Sequence, residues 1–368
     1  MLSNNYILIL LWIAAMALLS KTTSVVYCTE TVNGQRVRRF NCFFAILAVL
    51  PLVIWAGWRG YIGDTASYMT AFKDMPSEFG SLINYISGIE KDKGFYFFSA
   101  LIKCIIGNHV HIYFLMMAAL QCLLVFMIYR KYSISYIVSF FLFIVSTDYI
   151  SWIFNGMRQF TAAAITFACF PLIVKKKYLW AIIGVLFASL FHQSALLVIP
   201  FIFIAQGKAW NKKTLLFIGA SIVAVLFIDR FTNILDTVLA DTQYKNVVSD
   251  WQSWEDDGTN VLRVLVYSVP ALMSLVGLKF VRHADDPIIN LCVNMSIVSM
   301  GFYIISMFTS GIFIGRLPIY FSLYSYILLP WLIKNMFEKR SEVLVNIGMV
   351  GAYLVFYYYQ VRMAWGLF

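Results

Sequence analysis

Apolar segments of membrane-spanning length recur along this sequence from one end to the other, each closed by a short polar or basic stretch. A helix needs about 20 apolar residues to cross a hydrocarbon core of roughly 30 Å. The expected fold is therefore all-α, a polytopic helical membrane protein with about 12 spans, some of them short or re-entrant. Expected spans cover 4–20, 41–58, 112–129, 133–150, 159–174, 178–191, 194–206, 214–228, 261–279, 288–309, 317–333 and 341–360. Segment 95–107 is apolar but short and contains Lys103, so it reads as a re-entrant or interfacial helix. The whole chain, 1–368, reads as one integral membrane domain.

Composition excludes the other broad classes. The chain is 61% hydrophobic and 12% charged, whereas a soluble chain carries about a quarter charged residues. Its net charge of +10 does not point to nucleic acid, because the basic residues gather at the ends of apolar segments, where the positive-inside rule expects them. Six cysteines lie far apart with no CxxC pair, which indicates neither a disulfide framework nor a zinc site. The opening MLSNNYILIL lacks the basic region of a cleaved signal peptide and reads as the first span.

Charge also orients the chain. Placing the basic stretches 35–39, 130–131, 175–177, 207–213, 279–283 and 334–342 in the cytoplasm with Lys21 puts 17 Lys/Arg and 5 Asp/Glu inside. That leaves 11 Lys/Arg and 13 Asp/Glu outside, the asymmetry a membrane protein should show. Two long loops then face outward, 59–94 and 229–260. Both mix acids with aromatic residues, Tyr in the first and Tyr and Trp in the second, a composition suited to sugars and equally that of an ordinary solvated loop.

The run from Tyr178 to Ala205 holds no charged residue. At about 1.5 Å per residue its helix would be roughly 42 Å long, too long for one span and too short for two. Both flanks, KKK and GKAWNKK, belong inside, so the chain must turn back near residues 191–194. Two short helices meeting at FHQS place His192 at an outward turn. Broken helices at membrane depth are tolerated where they line a water-filled cavity.

Four arginines lie at outer ends of spans, against the positive-inside rule: Arg59, Arg158, Arg263 and Arg316. Snorkelling, or pairing with Asp64 or Asp148, would explain each singly. Together they suit the diphosphate of a lipid carrier, since guanidinium groups grip phosphate oxygens bidentately and stay charged. Asn155, Arg158 and Gln159 fall at a helix start, with Asn155 expected as its N-cap. His109 and His111 do not share a helix face, and EDDG at 255–258 lacks the rest of a calcium loop. There is no P-loop, GxSxG or HExxH.

In order along the chain stand R-x4-D-x3-Y (Arg59, Asp64, Tyr68), a GF-bearing apolar segment (Gly94, Phe95) and N-x2-RQ (Asn155, Arg158, Gln159). They are followed by ASLFHQSAL around His192 and by a late R-x3-Y (Arg316, Tyr320). In these motifs the chain resembles the EpsG family of bacterial exopolysaccharide polymerases, within the broader Wzy-type O-antigen and capsule polymerases. The resemblance implies a GT-C-like, metal-independent glycosyltransferase without cofactor, working at the outer face of the bacterial cytoplasmic membrane. The growing glycan would pass from undecaprenyl diphosphate to the non-reducing-end hydroxyl of an incoming undecaprenyl-diphosphate-linked repeat unit. The implied substrate-binding set is Arg59, Tyr68, Asn155, Arg158, Gln159, Arg263, Arg316 and Tyr320. His192 is the general base, with Asp64 as the alternative base or an arginine-orienting group. Implied partners are the lipid-linked oligosaccharide, the bilayer, a chain-length regulator and a flippase. The rival readings are a lipid-linked glycan flippase, which should show paired broken helices in two related halves, an O-antigen ligase-type transferase, and a membrane O-acyltransferase.

Overall fold

The computed structural model describes residues 2–32, 35–239 and 258–366. Among these, five helices are long and apolar enough to cross a membrane, four further pairs form bent spans, and three apolar helices are shorter. The all-α membrane fold expected from the sequence is the one observed, and most expected spans lie within a few residues of observed helices. The helix starts have local causes. Asn41 accepts a hydrogen bond from Phe43 N to open Cys42–Gly57, and Asn211 accepts from Lys213 N and Thr214 N to open Lys212–Leu226. Such caps satisfy amides that the helix itself leaves without partners.

Several departures matter. The basic stretch 35–39, expected as a plain loop, is a strand. Tyr27–Val32 (β1) pairs antiparallel with Gln35–Phe40 (β2), Tyr27 opposite Phe40. The expected span 133–150 is broken: Tyr136–Val145 and Asp148–Phe154 are bent by 69°. Between them Thr147 takes φ of +68°, a region that β-branched residues avoid. The expected span 317–333 begins as a 3₁₀ segment, Ile314–Tyr320, and bends by 47° into Ser322–Met336. The stretch 59–94, expected as a loop, carries two helices, Thr65–Asp74 and Leu82–Ser87. The stretch 229–260 begins in the helix Ile228–Leu239; residues 240–257 lie outside the described residues.

The chain packs as two compact units. The first comprises Met1–Phe170, Ile183–Ala195 and Phe337–Phe368. Its interior is aromatic: the Phe126 ring meets Phe140 and Phe143 edge-on, and Phe143 stacks on Tyr149. The second comprises Pro171–Ile182 and Leu196–Met336. It is built around Pro287–Met307, a helix that is apolar and buried nearly all round. A helix hydrophobic on every face belongs in an interior. Asn290 and Asn294 on this helix accept from the amides of Ala209 and Trp210, fixing the turn before Lys212.

Candidate active site

Seven of the ten candidate residues lie in the first unit, where bonds tie four separate stretches together. The stretch 153–159 is the hub. Arg59 is 4% exposed. Its Nη1 donates to the Ile153 carbonyl at 2.7 Å, its Nη2 reaches Met157 Sδ at 2.7 Å, and its guanidinium carbon lies 3.8 Å from the Phe114 ring centroid. Burial pushes the Arg59 pKa down to about 10, so the group is still a cation at neutral pH. From the helix Val110–Tyr132, Gln121 donates to the Met157 carbonyl and to Thr161 Oγ1.

Asn155 is not the expected N-cap. Gly156 occupies the cap position of Met157–Ala168 and contributes no side-chain bond. Asn155 instead ends the preceding short helix and turns its amide toward the 63–68 corner. Its Oδ1 accepts from Asp64 N at 3.2 Å, its carbonyl accepts from Tyr68 Oη at 3.2 Å, and its Nδ2 donates to Ser151 Oγ. Gly63 has φ of +49°, and a Cβ there would lie 1.4 Å from Asn155 Oδ1. Only glycine meets both conditions. Asp64 itself is exposed, and its side chain makes no cap bond to the helix that follows.

Arg158 Nη1 donates to Asp92 Oδ2 at 2.8 Å. The partner is neither Asp64 nor Asp148, the carboxylates weighed from the sequence. Arg158 is 36% exposed at the side chain, whereas Asp92 is 3% exposed. Burial raises the Asp92 carboxyl above its ordinary value, and Arg158 beside it offsets only part of that rise. Asp92 Oδ1 is buried in the field of the Gln193 amide, without a hydrogen bond of good geometry. Asp92 also sits at φ of +53°, a left-handed backbone just before Lys93–Ile106. Two residues on, Gly94 N donates to the Leu190 carbonyl at 2.8 Å, and a Cβ on Gly94 would come within 2.6 Å of Leu190 Cβ.

The expected turn at His192 is present, between Tyr178–Ser189 and the helical stretch Gln193–Ile204. His192 Nδ1 lies 2.6 Å from Ser194 Oγ, and Gln159 Nε2 donates to the same oxygen at 3.4 Å. Arg158, at the start of its helix, is thus joined to Asp92, and its neighbour Gln159 to the His192 turn. Sequence reasoning missed Asp92 and Ser194. Asp92 stands two residues before the quoted Gly94–Phe95 pair, and Ser194 within the quoted HQS.

Arg263, Arg316 and Tyr320 belong to the second unit. There Thr259 N donates to the Ser306 carbonyl at 2.9 Å, and Ser306 Oγ donates to Thr259 Oγ1 at 2.8 Å. A Cβ on Gly315 would lie 2.6 Å from Thr259 Oγ1. This knot brings the start of Val261–Val276 and the Ile314–Tyr320 segment to the C-terminal end of Pro287–Met307. Arg263, one turn into its helix, lies 5.9 Å from the Tyr267 ring, and Arg316 is exposed. Tyr320 is 1% exposed and belongs to the interior of this unit. Among the described residues no three His, Cys, Asp or Glu side chains converge as metal ligands.

The profile of the EpsG family matches residues 42–365, nearly the whole chain. The chain belongs to the EpsG family. That family is one of Wzy-type polymerases, so this EpsG-family chain has a polysaccharide polymerase-type role. The match takes in every candidate residue of both units. No curated protein and no solved structure matches the chain.

Proposed function

We propose that this EpsG-family protein polymerises lipid-linked oligosaccharide repeat units at the outer face of the bacterial cytoplasmic membrane. The growing glycan leaves undecaprenyl diphosphate and joins the non-reducing-end hydroxyl of an incoming undecaprenyl-diphosphate-linked unit. The bond from the anomeric carbon to the diphosphate oxygen breaks, a bond to the acceptor oxygen forms, and the acceptor proton passes to a base.

The observation that carries this reading is the bonded cluster around Arg158 and His192 in a chain of this family. Arg158 is the half-exposed arginine of that cluster. It can turn its planar donor fork to the departing diphosphate, whose charge grows in the transition state. Arg263 and Arg316 belong to the second unit, and the reading of the Arg158 cluster does not depend on them. Arg59, spent on Ile153 and Met157, supports the Arg158 helix start from behind. Tyr68 and Asn155 shape the corner that carries Asp64.

His192 is the base. For Nε2 to accept a proton, Nδ1 must carry one, and something must hold that tautomer. Ser194 Oγ has two lone pairs and can accept from both Nδ1–H and Gln159. Asp64, exposed on its corner, is the alternative base. The chemistry as written needs no metal ion. Reconstitution with a lipid-linked repeat unit tests the reading: a gel ladder of polymer is the expected result. A single unextended repeat unit, with the protein folded and the lipid bound, would sink it.

A further inference from the structure

The basic stretch between the first two apolar helices has no part in that site. Cys42–Gly57, about 24 Å long at its usual rise, begins just after β2 and ends just before Arg59. The hairpin and the candidate active site therefore stand at opposite ends of one span.

At the hairpin end, Arg38, Arg39 and Arg130 line a pocket of about 80 Å³ together with Ser133, Ser135 and Tyr136. One water needs about 10–15 Å³ of such space, so the pocket has room for a polyatomic anion. Its walls are built. Arg130 Nε donates to the Phe40 carbonyl at 2.7 Å, and its Nη2 pairs with Glu30. The hairpin register sets Cys28 opposite Arg39 and Glu30 opposite Val37, which directs Glu30 and Cys28 together toward Arg130. Arg38 lies over the Tyr27 ring at 4.3 Å. Arg39 Nε is buried and has no hydrogen-bond partner. Three guanidinium groups meet one carboxylate, which leaves the pocket positive and one buried donor unspent.

The surroundings identify the source of the anion. Leu2–Thr22 exposes Ile7, Leu8, Leu11 and Leu18, and Cys42–Gly57 exposes Phe43 and Ile46. The pocket lies where these two apolar helices end, and the ends of bilayer-crossing apolar helices meet the headgroup region. Guanidinium groups are suited to phosphate oxygens, and basic clusters beside a span attract anionic lipids.

We propose that this pocket binds the phosphate of an anionic phospholipid headgroup, at the end of the Cys42–Gly57 helix opposite the candidate active site. The proposal stands whatever reaction the active site performs. Its test uses the full chain in nanodiscs of phosphatidylcholine with rising fractions of phosphatidylglycerol, counting retained lipids by native mass spectrometry. The parent should keep phosphatidylglycerol in preference to phosphatidylcholine. The double variant Arg38→Gln, Arg39→Gln should weaken that preference by about 10–30-fold, the effect of two cationic side chains at an anionic surface. Arg130 stays untouched because it holds Phe40 and Glu30. Equal retention of the two lipids by the parent overturns the proposal without recourse to any variant. A parent that shows no lipid preference but is stabilised against heat by inorganic phosphate would assign the pocket to a soluble anion instead.

Discussion

Arg158 and Asp92, 66 positions apart in sequence, meet at 2.8 Å with the carboxylate almost wholly enclosed and the guanidinium half open. A carboxylate in that position aims the arginine and leaves part of its fork for another ligand. Asp92→Asn should keep the shape and lose the charge pairing, lowering polymer output by about tenfold or more, which corresponds to roughly 1.4 kcal/mol of transition-state stabilisation. Arg158→Lys keeps the charge but not the planar fork and should lose most activity at normal expression. Both are read as ladder intensity in the reconstituted assay. A lysine variant as active as the parent would make Arg158 a charge-only residue.

The His192 turn separates a base from a structural ring. His192→Ala should cost about 10²–10⁴ in rate, the usual range for a positioned proton acceptor, at unchanged protein level. His192→Gln keeps a donor and an acceptor but cannot take up a proton near neutral pH, so it should be nearly as inactive. Ser194→Ala, which frees the tautomer, should lie between. An active glutamine variant would remove His192 from the chemistry and move the role to Asp64.

Gly63 offers a test of the corner that carries Asp64. Gly63→Ala would place a methyl 1.4 Å from Asn155 Oδ1 at a φ of +49°, so it should sharply lower the yield of folded protein. Gly80→Ala, in the same stretch, meets nothing within 4 Å and should behave as the parent. Fluorescence-detected size-exclusion profiles compare the two directly.

The orientation proposed for the chain can be checked at two exposed positions. In a background with Cys42 replaced by serine, a cysteine at Ser77 should react with a membrane-impermeant reagent from outside, and one at Lys212 should not. Labelling at position 212 from outside would reverse the turn assigned to His192 and with it the site of reaction.

Much of the fold was legible because long apolar runs have one solution in a membrane. The break at Thr147 was not, since a threonine in a left-handed conformation leaves no sign in an apolar run. Neither was the hairpin at Tyr27–Phe40, whose basic residues obey the positive-inside rule whether paired or not. In the candidate site, Arg158 and His192 stood out as polar groups in apolar company. Asp92 did not, because it sits among Lys91, Lys93 and Glu90 in what reads as a solvated run. Its importance depends on a partner that only the folded chain brings near. Asn155 was expected to open a helix and instead closes the preceding one.

The stretch between Met75 and Asp92 is pinned at both ends. Lys103 Nζ donates to the carbonyls of Lys73 and Met75 at one end, and Asp92 is tied to Arg158 at the other. Between these anchors Phe79 and Ile83 are openly exposed. A segment fastened in this way can change its sequence, or be exchanged for that of a relative, while the anchors keep the reacting groups in register. Residues 76–91 can then vary in sequence while the Arg158–Asp92 pair is inherited intact.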